Sequence, residues 1–193
     1  MQPMADPFFF GYGSLVNRAT HDYADAHPAQ LRGWRRAWRH TSLRPVAYLT
    51  AVPAPGEEID GLIAHVPGDD WAALDEREYA YDRHPVTDLT AHQVPRDLHV
   101  QVYAIPKDRH TLPDPSSPVL LSYIDVVIQG YLREFGPEGV MRFFETTDGW
   151  DAPILDDRAQ PIYPRHQRLS ADEHDLVQAG LASVNARIVA VAD

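Results

Sequence analysis

The sequence contains no cysteine, which excludes disulfide bonds, thiolate metal sites and cysteine nucleophiles together. Positive charge is scarce as well: 17 Lys+Arg stand against 28 Asp+Glu, a formal net charge of −11. Such a balance repels phosphate backbones and anionic headgroups, so neither nucleic acid nor a membrane is an expected partner. No apolar run approaches the ~20 residues needed to span a bilayer. The N-terminus has no basic stretch leading into a long apolar segment with a cleavage site, and a soluble, cytoplasmic protein is expected. Several catalytic signatures are also missing. Ser14 is not in a Gly-x-Ser-x-Gly elbow, because Gly13 precedes it directly and Val16 stands where the second glycine belongs. Gly11-Tyr12-Gly13 lacks the third glycine of a dinucleotide fingerprint, and no Gly-Lys-Ser/Thr follows a glycine-rich loop. The histidines form neither His-x-His nor His-Glu-x-x-His, so no metal site is expected, and His84 is the one histidine close to the candidate chemistry.

What the chain does have is Phe8-Phe9-Phe10-Gly11-Tyr12-Gly13-Ser14-Leu15. Three consecutive aromatics suit a strand buried on both faces, and glycines one residue apart let the backbone turn while leaving its amides uncovered. This loop is either an ordinary tight turn or a cradle whose N–H groups hold an anion or an oxyanion. The 193 residues fit a single domain, 1–193, with a sizeable core.

Farther along, residues 17–26 read as a short helix or an irregular connection. Residues 31–43 suit a helix or a bent strand, with Gly33 favouring the strand. Residues 46–52 and 59–66, separated by Pro53-Ala54-Pro55-Gly56, predict a hairpin with a longer loop. Gly68-Asp69-Asp70 caps a helix over 71–78, and strands are expected at 79–89 and 98–105. Ser117-Pro118 opens a long helix that Gly136-Pro137 closes, with a second short helix at 140–144. Ser170 and Glu173 form a capping box for a last helix with Leu176, Val177, Leu181 and Val184 on its apolar face.

Trp71, Leu74 and Glu78 fall at i, i+3 and i+7, which puts a carboxylate on the apolar side of its helix. Desolvation raises the pKa of such a group and makes it a stronger base near neutral pH, provided no cation neutralises it. The alternative is a structural glutamate bonded to an arginine or to the hydroxyl of Tyr12, Tyr79, Tyr81 or Tyr123. Glu76 and Arg77 point elsewhere on the helix, where solvation suffices to explain them.

The aromatic strand running into Tyr12-Gly13-Ser14-Leu15, then Leu74-Asp75-Glu76-Arg77-Glu78 in a Leu-Asp-x-x-Glu pattern, then Ser122-Tyr123 early in the long helix, together resemble the γ-glutamylcyclotransferase-like proteins. Asp156-Asp157-Arg158 and Pro161-Ile162-Tyr163-Pro164-Arg165 look similar to the C-terminal part of bacterial members. The resemblance implies an α+β fold, a small mixed β-barrel ringed by helices with loop and glutamate at its mouth. It implies cyclisation of a γ-glutamyl group to 5-oxoproline with release of the attached amine, a small-molecule γ-glutamyl substrate and no cofactor. Glu78 would be the catalytic acid/base, and Tyr12, Gly13, Ser14, Leu15 and Tyr123 would bind substrate. Leu15 stands where mammalian-type members carry Asn, so the substrate is open.

Two other classes fit the same residues: a module that holds a carboxylate ligand without turnover, and an interaction domain. The segment 146–168 is too long to be a mere connector. It is expected to pack over or beside the barrel mouth, with Arg158 or Arg165 helping to set the accepted leaving group. Otherwise both arginines pair with Asp156, Asp157 or neighbouring acids and only fix the loop.

Overall fold

Phe8, Phe9 and Phe10 lie at the centre of β1 (Asp6–Gly11) and are 0%, 0% and 1% exposed in the computed structural model, which describes residues 5–191. Both edges of β1 are paired with neighbouring strands, and its aromatic side chains are buried on both faces of the sheet. After β1 the chain makes two single 3₁₀ turns, Ser14–Val16 and Arg18–Thr20, and no α-helix. It then enters β2 (Ala26–Arg39), five residues earlier than the sequence suggests. β2 forms a hairpin with β3 (Tyr48–His65).

The expected turn at Pro53–Gly56 does not reverse the chain. Residues 48–65 are one strand, and the pairing passes from Trp34 opposite Pro53 to Arg32 opposite Glu58, so that four residues of β3 bulge outward against Gly33 alone. Gly33 (φ +81°) and Gly56 (φ +86°) adopt the left-handed conformation that the two bends require. Pro55 lies on the exposed bulge, where a missing N–H costs nothing, and the exposed Pro53 borders it opposite Trp34.

Helix α1 (Ala72–Arg77) follows, with the Asp70 carboxylate accepting from the Ala72 amide at 3.1 Å. The strand expected at 79–89 is limited to β4 (Asp82–Pro85), followed by a 3₁₀ turn and the two-residue β5 (Thr90–Ala91). β6 (Leu98–Ala104) lies parallel to β1, with Phe8 opposite Val100. The main sheet runs β4-β6-β1-β3-β2-β5. It is mixed, strongly curled and open at both ends, a half-barrel rather than a closed barrel.

Residues 119–120 form the short strand β7, so Ser117-Pro118 does not open the long helix α2 (Leu121–Glu145). Gly136 (φ 70°) before Pro137 does break it, and Val140 to Phe144 belong to its second piece. The first turn of α2 is capped from a distance. Asp157, 2% exposed, accepts the Ser122 amide at 2.9 Å, the Ser122 hydroxyl at 2.5 Å and the Ile162 amide at 2.8 Å. The segment 146–168 contributes β8 (Thr147–Asp148), paired with β2, and β9 (Ile154–Asp156). β9 lies between β7 and β10 (Ile188–Ala190) in a second sheet. Helix α3 (Ala171–Ser183) has its capping box formed and buries Val177 and Leu181. Among the described residues no helix is long and apolar enough to cross a membrane.

Asp157 thus fastens residues 157–163 to α2. Asp157→Ala is expected to lower unfolding free energy by about 2 kcal/mol, since a buried amide, a part-buried amide and a buried hydroxyl lose their acceptor. The midpoint of urea unfolding measures it.

Candidate active site

β1 ends at Gly11, and the chain turns at Gly13 into the 3₁₀ turn Ser14–Val16. A Cβ at Gly13 would lie 2.6 Å from the Tyr123 hydroxyl, so only glycine lets α2 approach this closely. The Val16 and Asn17 amides close the turn onto the Gly13 and Ser14 carbonyls. The amides of Gly13, Ser14 and Leu15 have no acceptor among the described residues, as the opening residues of a helical turn must. Behind the loop, the Tyr131 hydroxyl lies 2.7 Å from the Tyr12 carbonyl and accepts from the fully buried Arg36 at 3.1 Å. The loop is therefore braced from the core.

Glu78 follows α1 directly, its amide donating to the Leu74 carbonyl at 2.8 Å. Its side chain, 15% exposed, lines the same cleft as Tyr12, Gly13, Ser14, Leu15 and Tyr123. The structure brings all six predicted site residues together. The Arg77 Nε stands 3.5 Å from one Glu78 oxygen, a single long contact and not a bidentate pair. No tyrosine hydroxyl donates to Glu78 among the described residues. Tyr12 donates to the Tyr103 carbonyl at 2.6 Å, Tyr81 to that of Leu49 at 2.6 Å and Tyr79 to that of Leu43 at 2.8 Å. Burial pushes the Glu78 carboxyl above the ordinary glutamate value, and Arg77, Arg44 and Arg165 pull it back without cancelling the shift.

Arg77 is not a solvated residue. Its side chain is 10% exposed, and it donates to the Thr20 carbonyl at 2.8 Å and to the Ser14 hydroxyl at 3.3 Å. It therefore ties the end of α1 to the glycine loop. Ser14 serves as an acceptor in this tie and has no histidine partner among the described residues.

Sequence reasoning did not assign Tyr163, Tyr48 or Arg44 to the wall. Tyr163 packs its ring 4.9 Å from that of Tyr123, and Tyr48 packs 5.1 Å from it on another side. Arg44 sits 4.8 Å above the Tyr48 ring. The only signal for these was the aromatic and arginine content of the segments 44–48 and 161–165. Of the two arginines singled out in 146–168, Arg165 lines the cleft. Arg158 instead forms a bidentate pair with Asp125 at 2.8 and 2.6 Å, and only its backbone amide reaches Asp156. His84 lies in β4, 6.3 Å from the Trp34 ring, outside the cleft. Among the described residues no group of acidic residues and histidines could hold a metal ion.

The arrangement can grip a small acyl compound by free amides and exchange a proton with it through a carboxyl of raised pKa. Residues 9–120 match the family described as "Gamma-glutamyl cyclotransferase, AIG2-like". No curated protein matches the chain in sequence. Three solved structures are similar at a TM-score of 0.57 each. One is described as gamma-glutamyl cyclotransferase (16% identity, covering 89% of this chain and 98% of that one). Another is an uncharacterized protein of Homo sapiens (17%, covering 89% and 97%). The third is YkqA of Bacillus subtilis (16%, covering 72% and 53%). At these identities the likeness is one of fold.

Proposed function

Because the chain belongs to the gamma-glutamyl cyclotransferase, AIG2-like family, we propose that it cyclises the γ-glutamyl group of a small γ-glutamyl amine or peptide to 5-oxoproline. Glu78 takes a proton from the α-ammonium, the freed amine attacks the γ-carbonyl carbon, and the carbon–nitrogen bond to the leaving amine breaks as Glu78 returns that proton to the departing nitrogen; the second proton, shed by the attacking nitrogen as it becomes the lactam N–H, then passes through Glu78 to the released amine, which departs as an ammonium. The amides of Gly13, Ser14 and Leu15 receive the oxyanion of the tetrahedral intermediate, and the Tyr123 hydroxyl beside Gly13 orients the glutamyl part. The nucleophile is tethered to its own electrophile, so much of the acceleration comes from holding the folded-back conformer. The observation that carries this reading is a carboxyl of raised pKa sharing one cleft with unbonded loop amides.

The test is incubation with a panel of γ-glutamyl compounds, glutathione included, with 5-oxoproline detected by mass spectrometry. At least one compound should yield 5-oxoproline and free amine in equal amounts. The rate should rise with pH through an acid limb lying above the ordinary glutamate pKa of about 4.3, because only ionised Glu78 accepts the proton. Absence of 5-oxoproline from every compound would leave a non-catalytic ligand-binding protein.

A further inference from the structure

Half of the arginines of this acidic chain have a carboxylate partner among the described residues, for example Arg18 with Glu134, Arg35 with Asp148, Arg142 with Asp60 and Arg158 with Asp125. Arg44 and Arg165, both at the cleft, form no ion pair among the described residues. Their situations differ. Arg44 is fixed, donating to the Arg77 carbonyl at 2.9 Å and lying between the Tyr48 and Tyr79 rings, 4.8 and 4.4 Å from their centroids. The Arg165 side chain makes no hydrogen bond among the described residues, and the residue is exposed. It is carried to the cleft by Tyr163, which is 4% exposed and packed against Tyr123. Tyr163 is in turn held by its own amide to the Ser122 hydroxyl at 3.4 Å, next to the Asp157 cap.

A γ-glutamyl compound in this cleft has its amine at Glu78 and its carbonyl at the loop amides. The leaving part then projects to the exposed side, where an unpaired guanidinium stands on a fastened backbone. We propose that Arg165 is a specificity-determining residue that recognises a carboxylate on the leaving amine. The inference rests on the substrate orientation given above. A leaving amino acid or peptide can present a carboxylate to the planar fork of the guanidinium. An alkylamine offers it nothing, and a leaving group with a second cationic centre is repelled.

Calorimetric binding in the Glu78→Gln background tests this without requiring turnover. γ-Glutamyl-alanine should bind about tenfold more tightly than γ-glutamyl-ethylamine, the usual scale of one charge-assisted contact. Adding Arg165→Gln should bring the ratio to about one, and Arg165→Lys should restore part of it. Arg165→Gln in the otherwise native protein should also move the acid limb of any turnover upward, since a cation near Glu78 is lost. Equal affinity for the two compounds, an equal loss for both in Arg165→Gln, or failure of both to bind would overturn the assignment. Absence of 5-oxoproline with the tenfold preference intact would instead overturn the proposed reaction and leave Arg165 as an anion-recognising residue.

Discussion

Glu78→Gln is expected to lower kcat by about 10²-fold or more while substrate binding changes little. Glutamine keeps the shape and the main-chain anchor at Leu74, so only the proton acceptor is removed. Stability should move the other way. A carboxyl whose pKa is raised in the folded protein stabilises it most below the unfolded value, and that contribution is lost as pH rises through the folded value. At neutral pH Glu78 is therefore a net cost to folding, and glutamine should leave the melting temperature equal or higher. Full turnover in the variant would move the base elsewhere. A large drop in melting temperature would make Glu78 a structural residue.

Gly13→Ala is the second large effect. The added methyl meets the Tyr123 hydroxyl at 2.6 Å, whereas its next neighbour, a Leu49 methyl, is at an ordinary 3.6 Å. The conflict is with one oxygen, and either the loop or Tyr123 must shift. Since small misplacements of positioning groups can cost 10²-fold, kcat/KM should fall by about 10- to 100-fold. Combining Gly13→Ala with Tyr123→Phe removes the offending oxygen. The double variant should lose less than the two single losses added, a coupling that steady-state kinetics on all four proteins measures. Strict additivity would mean that the loop and Tyr123 act independently.

The glycine loop and Glu78 were legible because each depends on local pattern: consecutive aromatics before two glycines, and a carboxylate at an apolar helix position. The α2 break was legible for the same reason, Gly136-Pro137 being unable to continue a helix. What was not legible depends on distant partners. Pro53 to Gly56 carry every sign of a chain reversal, but β2 bends at Gly33 beside them, and two matched bends give a bulge instead. Ser117 has the chemistry of a cap, but it takes part in a turn, donating its amide to the Asp114 carbonyl at 3.0 Å, while Asp157 caps α2 from farther along the chain. Arg77 looks solvated on a helical wheel, yet Thr20 and Ser14 accept from it. The wheel records the direction of a side chain and not what other segments bring to meet it.

The parallel pairing of β1 with β6 also governs how the protein comes into being. Phe8 can meet Val100 only once the intervening chain exists, and the loop that β1 delivers gains Tyr123 and Tyr131 later still. Emerging from a ribosome, the Phe8-Phe9-Phe10 segment has β3 to pair with on one side but nothing on the other until β6 has been made. Such non-local closure slows folding and leaves an apolar strand edge uncovered during synthesis. Refolding yield should therefore fall steeply with protein concentration, and chains stopped before residue 98 should aggregate rather than assemble the cleft.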